Sequence, residues 1–243
     1  MNNQAKLFWI FDMLGDMERT GPILWQVDRQ RLEDIKDHVF DMITIDRLLA
    51  PYLPMHINHE RIIELALVHD LEEVITGDIT IFEGISIEEK RRVTNIAREY
   101  LINTFGNIIP LKKLYSEYDN VSSIESKICH MYDKIQSIIT FAKYDAENEI
   151  DIDNPKIIRI LRELPLIIEG KNAGKKLSEI FYDYHIKSVN FSEEEIQRYK
   201  IDTAEALSIS QVIKSFVKSI MSTAKDINNI KSNFPEEATI YKR

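Results

Sequence analysis

Apolar positions recur with a period near 3.6 residues along almost the whole chain, and glycine and proline number only seven each, so the pattern predicts helices nearly throughout. The first amphipathic stretch runs from about Ala5 to Glu18. A second covers Glu33 to Leu53 and ends near Pro51 and Pro54. Asn58 is a natural N-cap for a third, expected to continue unbroken to about Thr76 and to stop at Gly77. Ser86-Ile87-Glu88-Glu89 reads as a capping box opening a helix to about Phe105, and Leu111 to Tyr118 fits a short helix. Ser122-Ser123-Ile124-Glu125 is a second box, opening a helix that reaches about Asp145. Further helices are expected over Pro155 to Glu169, Ala173 to His185 and Ser192 to about Ser222, the last behind the box Ser192-Glu193-Glu194-Glu195.

This spacing predicts an all-α fold: a helical bundle over residues 1–146, followed by a helical extension over residues 147–227 packed on or beside it. Glu147 to Asn154 is acidic and poor in apolar residues, which marks it as the boundary loop. Residues 228–243 are polar and read as a flexible tail.

No apolar run approaches the length of a membrane span, and Met1 to Asp16 lacks the basic start and cleavage site of a signal peptide. Cys129 is the only cysteine, so no intrachain disulfide can form, and a reducing, cytoplasmic setting is expected. A net charge of -9 argues against nucleic acid as a partner, but a few local cations and a metal still allow a small anionic ligand.

Candidate chemistry concentrates at His69-Asp70, in the middle of the apolar stretch Ile62 to Ile75. An imidazole and a carboxylate buried side by side are costly unless they share a cation. Adjacent helical side chains diverge by about 100°, so one ion must sit between them and take further ligands from other helices. His38 and Asp133 lie in similarly apolar surroundings, in Ile35 to Phe40 and Ile128 to Ile135. Two imidazoles and two carboxylates suit one divalent cation of the Mn, Fe, Co, Ni or Zn type. His130, three residues before Asp133 on the same helix face, reads first as a core or surface histidine, with support of such a ligand as the alternative. His56 and His59, and the cations of Glu88-Glu89-Lys90-Arg91-Arg92, read as solvated.

The order H…HD…D resembles the HD-domain metal-dependent phosphohydrolases, and within them most closely the HD-domain 5'-deoxynucleotidases. Four segments carry the resemblance: Arg19-Thr20-Gly21; Arg31-Leu32-Glu33-Asp34-Ile35-Lys36-Asp37-His38; Ala66-Leu67-Val68-His69-Asp70 through Glu73 to Gly77-Asp78; and Glu125-Ser126-Lys127 followed by Asp133-Lys134. They span roughly Leu14 to Tyr144. Pro22 stands where the family commonly has an aromatic residue, with Trp25 as the candidate substitute from the same loop, and Lys36 replaces a small residue.

The resemblance implies an HD-domain helical bundle, with His38, His69, Asp70 and Asp133 as metal ligands and Glu73 as the residue that orients or deprotonates the attacking water. It implies Arg19 as a phosphate clamp, Asp78 as a contact to the sugar 3'-hydroxyl, and Trp25 and Lys134 as further substrate contacts. The implied activity is hydrolysis of deoxyribonucleoside 5'-monophosphates. The alternatives are another HD phosphohydrolase, acting on a nucleoside triphosphate or a cyclic nucleotide, and a non-catalytic module that senses nucleotides. The extension has no matching motif; capping the site, forming a homodimer interface and adding a partner surface are the roles open to it.

Overall fold

The computed structural model describes residues 3–80, 84–163 and 175–227. In chain order its helices are α1 (Asn3–Met13), α2 (Thr20–Leu24), α3 (Ile35–Leu49), α4 (His59–Val68), α5 (Glu73–Thr76), α6 (Ile87–Phe105), α7 (Leu111–Asp119), α8 (Ile124–Ala146), α9 (Pro155–Glu163), α10 (Leu177–His185), α11 (Glu193–Tyr199) and α12 (Thr203–Thr223). Among the described residues the only β pairing is an isolated antiparallel bridge between Glu18 and Asp34.

α8 is the central rod. Its 23 residues extend about 35 Å at the usual helical rise. Ile128, Cys129, Tyr132, Ile135 and Ile138 along it are fully buried. α3, α4 and α7 pack against it, and so do α10 and α12 of the extension. The extension therefore shares the main core. Trp25 shows how: it is 1% exposed and meets Phe141 of α8 and Phe181 of α10 edge-on, with ring centroids 6.3 and 5.6 Å away.

Side-chain caps set several helix starts. Asn58, Ser86, Ser192 and Asp202 each accept the expected backbone N–H. The box at Ser86 is half made, because the Glu89 side chain turns to Arg92 instead of its own N-cap. At α8 the box is shifted by one residue: Ser123 is the N-cap and Ser126 closes it.

Four expected helices end or break early. α3 closes at Leu49, four residues before the expected end, and Ala50–Tyr52 form a 3₁₀ turn containing Pro51. α1 stops at Met13 and, after a 3₁₀ turn over Leu14–Asp16, the chain enters the bridge at Glu18. The Ser192–Ser222 helix divides at Lys200, which adopts a left-handed conformation (φ 56°), and restarts at the Asp202 cap. The third helix ends at Val68; residues 69–72 form a turn, and the short α5 follows. The ends expected at Glu169 and Ala173 and the tail at 228–243 lie outside the described residues.

Trp25→Ala removes the ring that joins α2, α8 and α10. It should destabilise the protein by about 3–5 kcal/mol in chemical denaturation. A loss below about 1 kcal/mol would show that the extension packs independently of this ring.

Candidate metal centre and substrate cleft

The site begins with the tautomer of His38. Its Nδ1 lies 2.7 Å from Gln136 Oε1. The Gln136 amide nitrogen faces the acceptors Glu33 Oε1, Thr140 Oγ1 and Asp41 Oδ2 at 2.9, 2.9 and 3.3 Å. With its NH₂ so committed, Gln136 offers only a carbonyl to His38. Nδ1 must carry the proton, leaving a lone pair on Nε2. His69 is set the same way: its Nδ1 donates to the Ala66 carbonyl at 2.8 Å, one turn back.

The break after Val68 completes the cluster. The turn brings His69 Nε2 to 3.0 Å from Asp70 Oδ2, though not in hydrogen-bonding alignment. His38 Nε2 lies 3.8 Å from the same oxygen and 3.4 Å from Asp133 Oδ1. Arg98 of α6 holds the turn in place. It meets Glu72 Oε1 at 2.8 and 2.7 Å, reaches the His69 carbonyl at 3.4 Å and lies over the Tyr115 ring. On the other side, Tyr118 packs between His69 and His130, stacked on the latter at 3.8 Å, and the Tyr118 carbonyl bonds His130 Nε2.

His38 Nε2 and His69 Nε2 are both buried without a hydrogen-bond partner. Ligand atoms of His38, His69 and Asp133 all lie within 4.8 Å of one another, and Asp70 adjoins them. Two unpartnered imidazole nitrogens beside two carboxylates fit a divalent cation. The field agrees. Burial opposes charge on His69, but Asp70 and Asp133 outweigh it and push its pKa up to about 9. Burial likewise opposes ionisation of Asp70 and Asp133. The imidazoles, with Arg19 beside Asp70 and Lys134 beside Asp133, nevertheless hold both carboxyls well below the usual range.

Arg19 and Asp78 are joined by backbone. The bridge fixes the Arg19 segment, with Arg19 N–H donating to Glu33 O at 2.8 Å and Ile35 N–H to Met17 O at 3.0 Å. Asp78 Oδ2 accepts from Thr20 N–H at 2.7 Å and so caps α2 from a distant part of the chain. Arg19 lies 3.5 Å from Asp70 and 3.6 Å from Asp78. Glu73 Oε2 is buried and unpartnered. Burial, then the neighbouring Asp70 and Asp78, push its carboxyl well above the ordinary range. Burial also lifts Glu72 to about 7, against the pull of Arg98.

A cleft of about 610 Å³ adjoins the cluster and is lined by Arg19, Asp78, Asp133 and Lys134 together with residues of α10 and the following turn. A second cavity of about 570 Å³ borders His69, Asp70 and Glu73 and is lined by Lys90, Arg91 and Arg98. The Lys90 ammonium bonds the Ile79 carbonyl there, so this helix face is not simply solvated. His59 also departs from its solvated reading: it bonds the buried Asp46 at 2.8 Å. Trp25 lines the cleft but, at 1% exposure, presents no open face for stacking; it backs Phe181. Lys36 pairs with Asp12 at 2.7 Å.

Gln136, Arg98 and Glu72 were not singled out by sequence. Gln136 could have been noticed as the one amide three residues after Asp133 on the same face of an apolar helix. Nothing local marks Arg98.

The HD domain family model matches residues 11–163, and the chain belongs to that family. It is 28% identical to the 5'-deoxynucleotidase HDDC2 of Bos taurus, over 71% of this chain and 89% of that protein. It is 32% identical to the 5'-deoxynucleotidase hdd1 of Schizosaccharomyces pombe, over 52% of this chain and 65% of the other. Among solved structures, the PH0347 protein of Pyrococcus horikoshii superposes with a TM-score of 0.57 at 22% identity, covering 90% of this chain and 98% of its own. A predicted metal-dependent phosphohydrolase from Magnetospirillum magnetotacticum gives 0.55 at 15% identity, covering 91% and 93%. These two likenesses are of fold.

Gln136→Leu should leave the fold intact and lower metal affinity by about 10- to 100-fold, the usual effect of losing an imidazole's supporting hydrogen bond. Metal titration followed by calorimetry checks this, and unchanged affinity would remove Gln136 from the support of the site.

Proposed function

We propose that the chain is a metal-dependent phosphomonoesterase that hydrolyses deoxyribonucleoside 5'-monophosphates to a deoxynucleoside and phosphate. One observation carries this reading. Two unpartnered imidazole nitrogens converge with Asp70 and Asp133, and Asp133 lines a cleft together with Arg19 and Lys134. The likeness to two proteins named 5'-deoxynucleotidase supports the choice of substrate.

His38, His69, Asp70 and Asp133 would hold one divalent cation. Such a cation supplies Lewis acidity, neutralising charge on the phosphoryl oxygens and acidifying a water. Arg19 offers a planar fork to the phosphate, and its present contacts at 3.5 and 3.6 Å are long enough to be exchanged for tighter ones. Lys134, 2.8 Å from Asp133, adds a second cation.

Glu73, whose Oε2 is buried and unpartnered near Asp70, accepts the proton of the attacking water and passes it on. The water oxygen bonds to phosphorus, the bond from phosphorus to the 5'-oxygen breaks, and the proton passes to the departing 5'-oxygen. Asp78 keeps Oδ2 on Thr20, which leaves Oδ1 for a sugar hydroxyl.

Asp70→Ala should lower the metal content of purified protein, measured by elemental analysis; equal content in parent and variant would exclude Asp70 as a ligand. Glu73→Ala should keep the metal and lose about 10²- to 10⁴-fold in phosphate release, as expected for a general acid–base group. Near-parental turnover would refute its role.

Sugar selectivity is checked with matched 2'-deoxyribo-, ribo- and 3'-deoxynucleoside monophosphates. The parent should favour the first, and Asp78→Ala should narrow its advantage over the 3'-deoxy compound. Equal parental rates on all three would turn the assignment toward a broader phosphatase.

A further inference from the structure

One wall of the cleft is built by the extension. Tyr184 and His185 end α10, and Lys187 and Ser188 follow in a 3₁₀ turn; all four line the same cavity as Arg19, Asp78 and Asp133. Most polar side chains around the metal cluster are committed to one another. Three of the four wall residues are not: among the described residues the Tyr184 hydroxyl, both ring nitrogens of His185 and the Lys187 ammonium have no hydrogen-bond or ion-pair partner, whereas Ser188 donates to the His185 carbonyl, and none of the three is among the sealed polar atoms of the core. Tyr184 and Lys187 are exposed and His185 is half-buried.

The wall is also aromatic. The His185 ring lies 4.8 Å from Tyr184 and 5.6 Å from Phe181, and Phe181 rests 4.5 Å from Phe141 and edge-on to Trp25. The rings thus run from the core to the open cleft, with ready hydrogen-bonding groups at the accessible end.

From this we propose that Tyr184, His185 and Lys187 form the base-recognition wall of the substrate cleft, so that the C-terminal extension, not the HD core, selects the nucleobase. The proposal rests on the site being a nucleotide site. A phosphate held between Arg19 and Lys134 directs the rest of a nucleoside monophosphate along the cleft, and the extension supplies its other wall. Base-on-aromatic contact tolerates every base, whereas donors and acceptors at the edge discriminate among them. Burial, helped by the nearby Lys134, lowers the His185 pKa to about 4. At neutral pH the ring therefore offers one donor and one acceptor, which suits the mixed edge of a base. Lys187 adds a donor for a base carbonyl.

The experiment compares binding of dAMP, dGMP, dCMP and TMP with that of 2-deoxyribose 5-phosphate, which lacks a base. Calorimetry on full-length, metal-loaded protein carrying Glu73→Ala prevents turnover. The preferred nucleotide should bind at least about tenfold more tightly than the baseless phosphate, the scale of one stacked base. Tyr184→Ala and His185→Ala should each cut that ratio severalfold, and Lys187→Ala should change the order among the four bases. His185→Gln, which keeps a donor and an acceptor, should restore part of the ratio. If His185→Ala does not fold, the variants at the exposed positions Tyr184 and Lys187 carry the test.

A parent that binds the baseless phosphate as tightly as the nucleotides overturns the proposal, as do variants that keep the full ratio or lose both kinds of ligand in parallel. If the Glu73-intact protein binds nucleotides with base preference but releases no phosphate, the phosphatase reading fails and the base wall stands.

Discussion

Removing an imidazole or a carboxylate from water without a partner is costly, and this chain gathers two of each within a few ångströms inside a helical core. The cost is offset only if the open valences meet something positive. The surrounding helices hold them open: α8 supplies Asp133 and, one turn on, the amide that fixes the proton on His38; α6 sends Arg98 to the carbonyl of His69; and α3 and α4 bring the two imidazoles together. A well-satisfied core would have paired these nitrogens with each other or with backbone. Here their outer nitrogens are tied to Gln136 and Ala66, and their inner ones are left unpaired.

Much of this was legible in the residues, and the reasons differ from element to element. Caps are local chemistry, so Asn58, Ser86 and Ser192 could be read as helix starts directly. The ordered His and Asp positions stood out because polar ligand-type residues interrupt apolar stripes, and the fold does bring them together. The break after Val68 was not legible. Leu71, Val74 and Ile75 continue the apolar pattern, and the turn is held by Arg98, a residue 29 positions beyond His69 that carries no local sign of its partner. Gln136 was hidden for the opposite reason. An amide in an amphipathic helix looks like a solvated residue until Glu33, Thr140 and Asp41 are seen to occupy its nitrogen.

The extension illustrates a further limit of local reading. Its helices lack any motif tied to the metal cluster, which made a cap or an assembly surface reasonable expectations. Its contribution depends on α10 lying along α8, and that contact is made of ordinary apolar residues such as Leu177, Ile180 and Phe181. Trp25 followed the same logic in reverse. Sequence marked it as an aromatic beside the arginine expected to hold phosphate, but packing drew it under Phe181 and left the open face of the cleft to Tyr184.

The bridge between Glu18 and Asp34 closes a loop whose two ends are anchored side by side: Arg19 to Glu33 at its base, and Thr20 to Asp78 immediately afterwards. The excursion between them carries Gly21, Pro22 and Trp25 into the cleft wall. With both ends pinned, the length of this excursion is uncoupled from the position of Arg19, and a few residues more or fewer cost little in loop-closure entropy. A change of length in this loop that spares Trp25 can therefore reshape the wall while the arginine and the metal turn keep their mutual register. The bridge acts as a clasp that separates the part of the site free to diversify from the part that must not move.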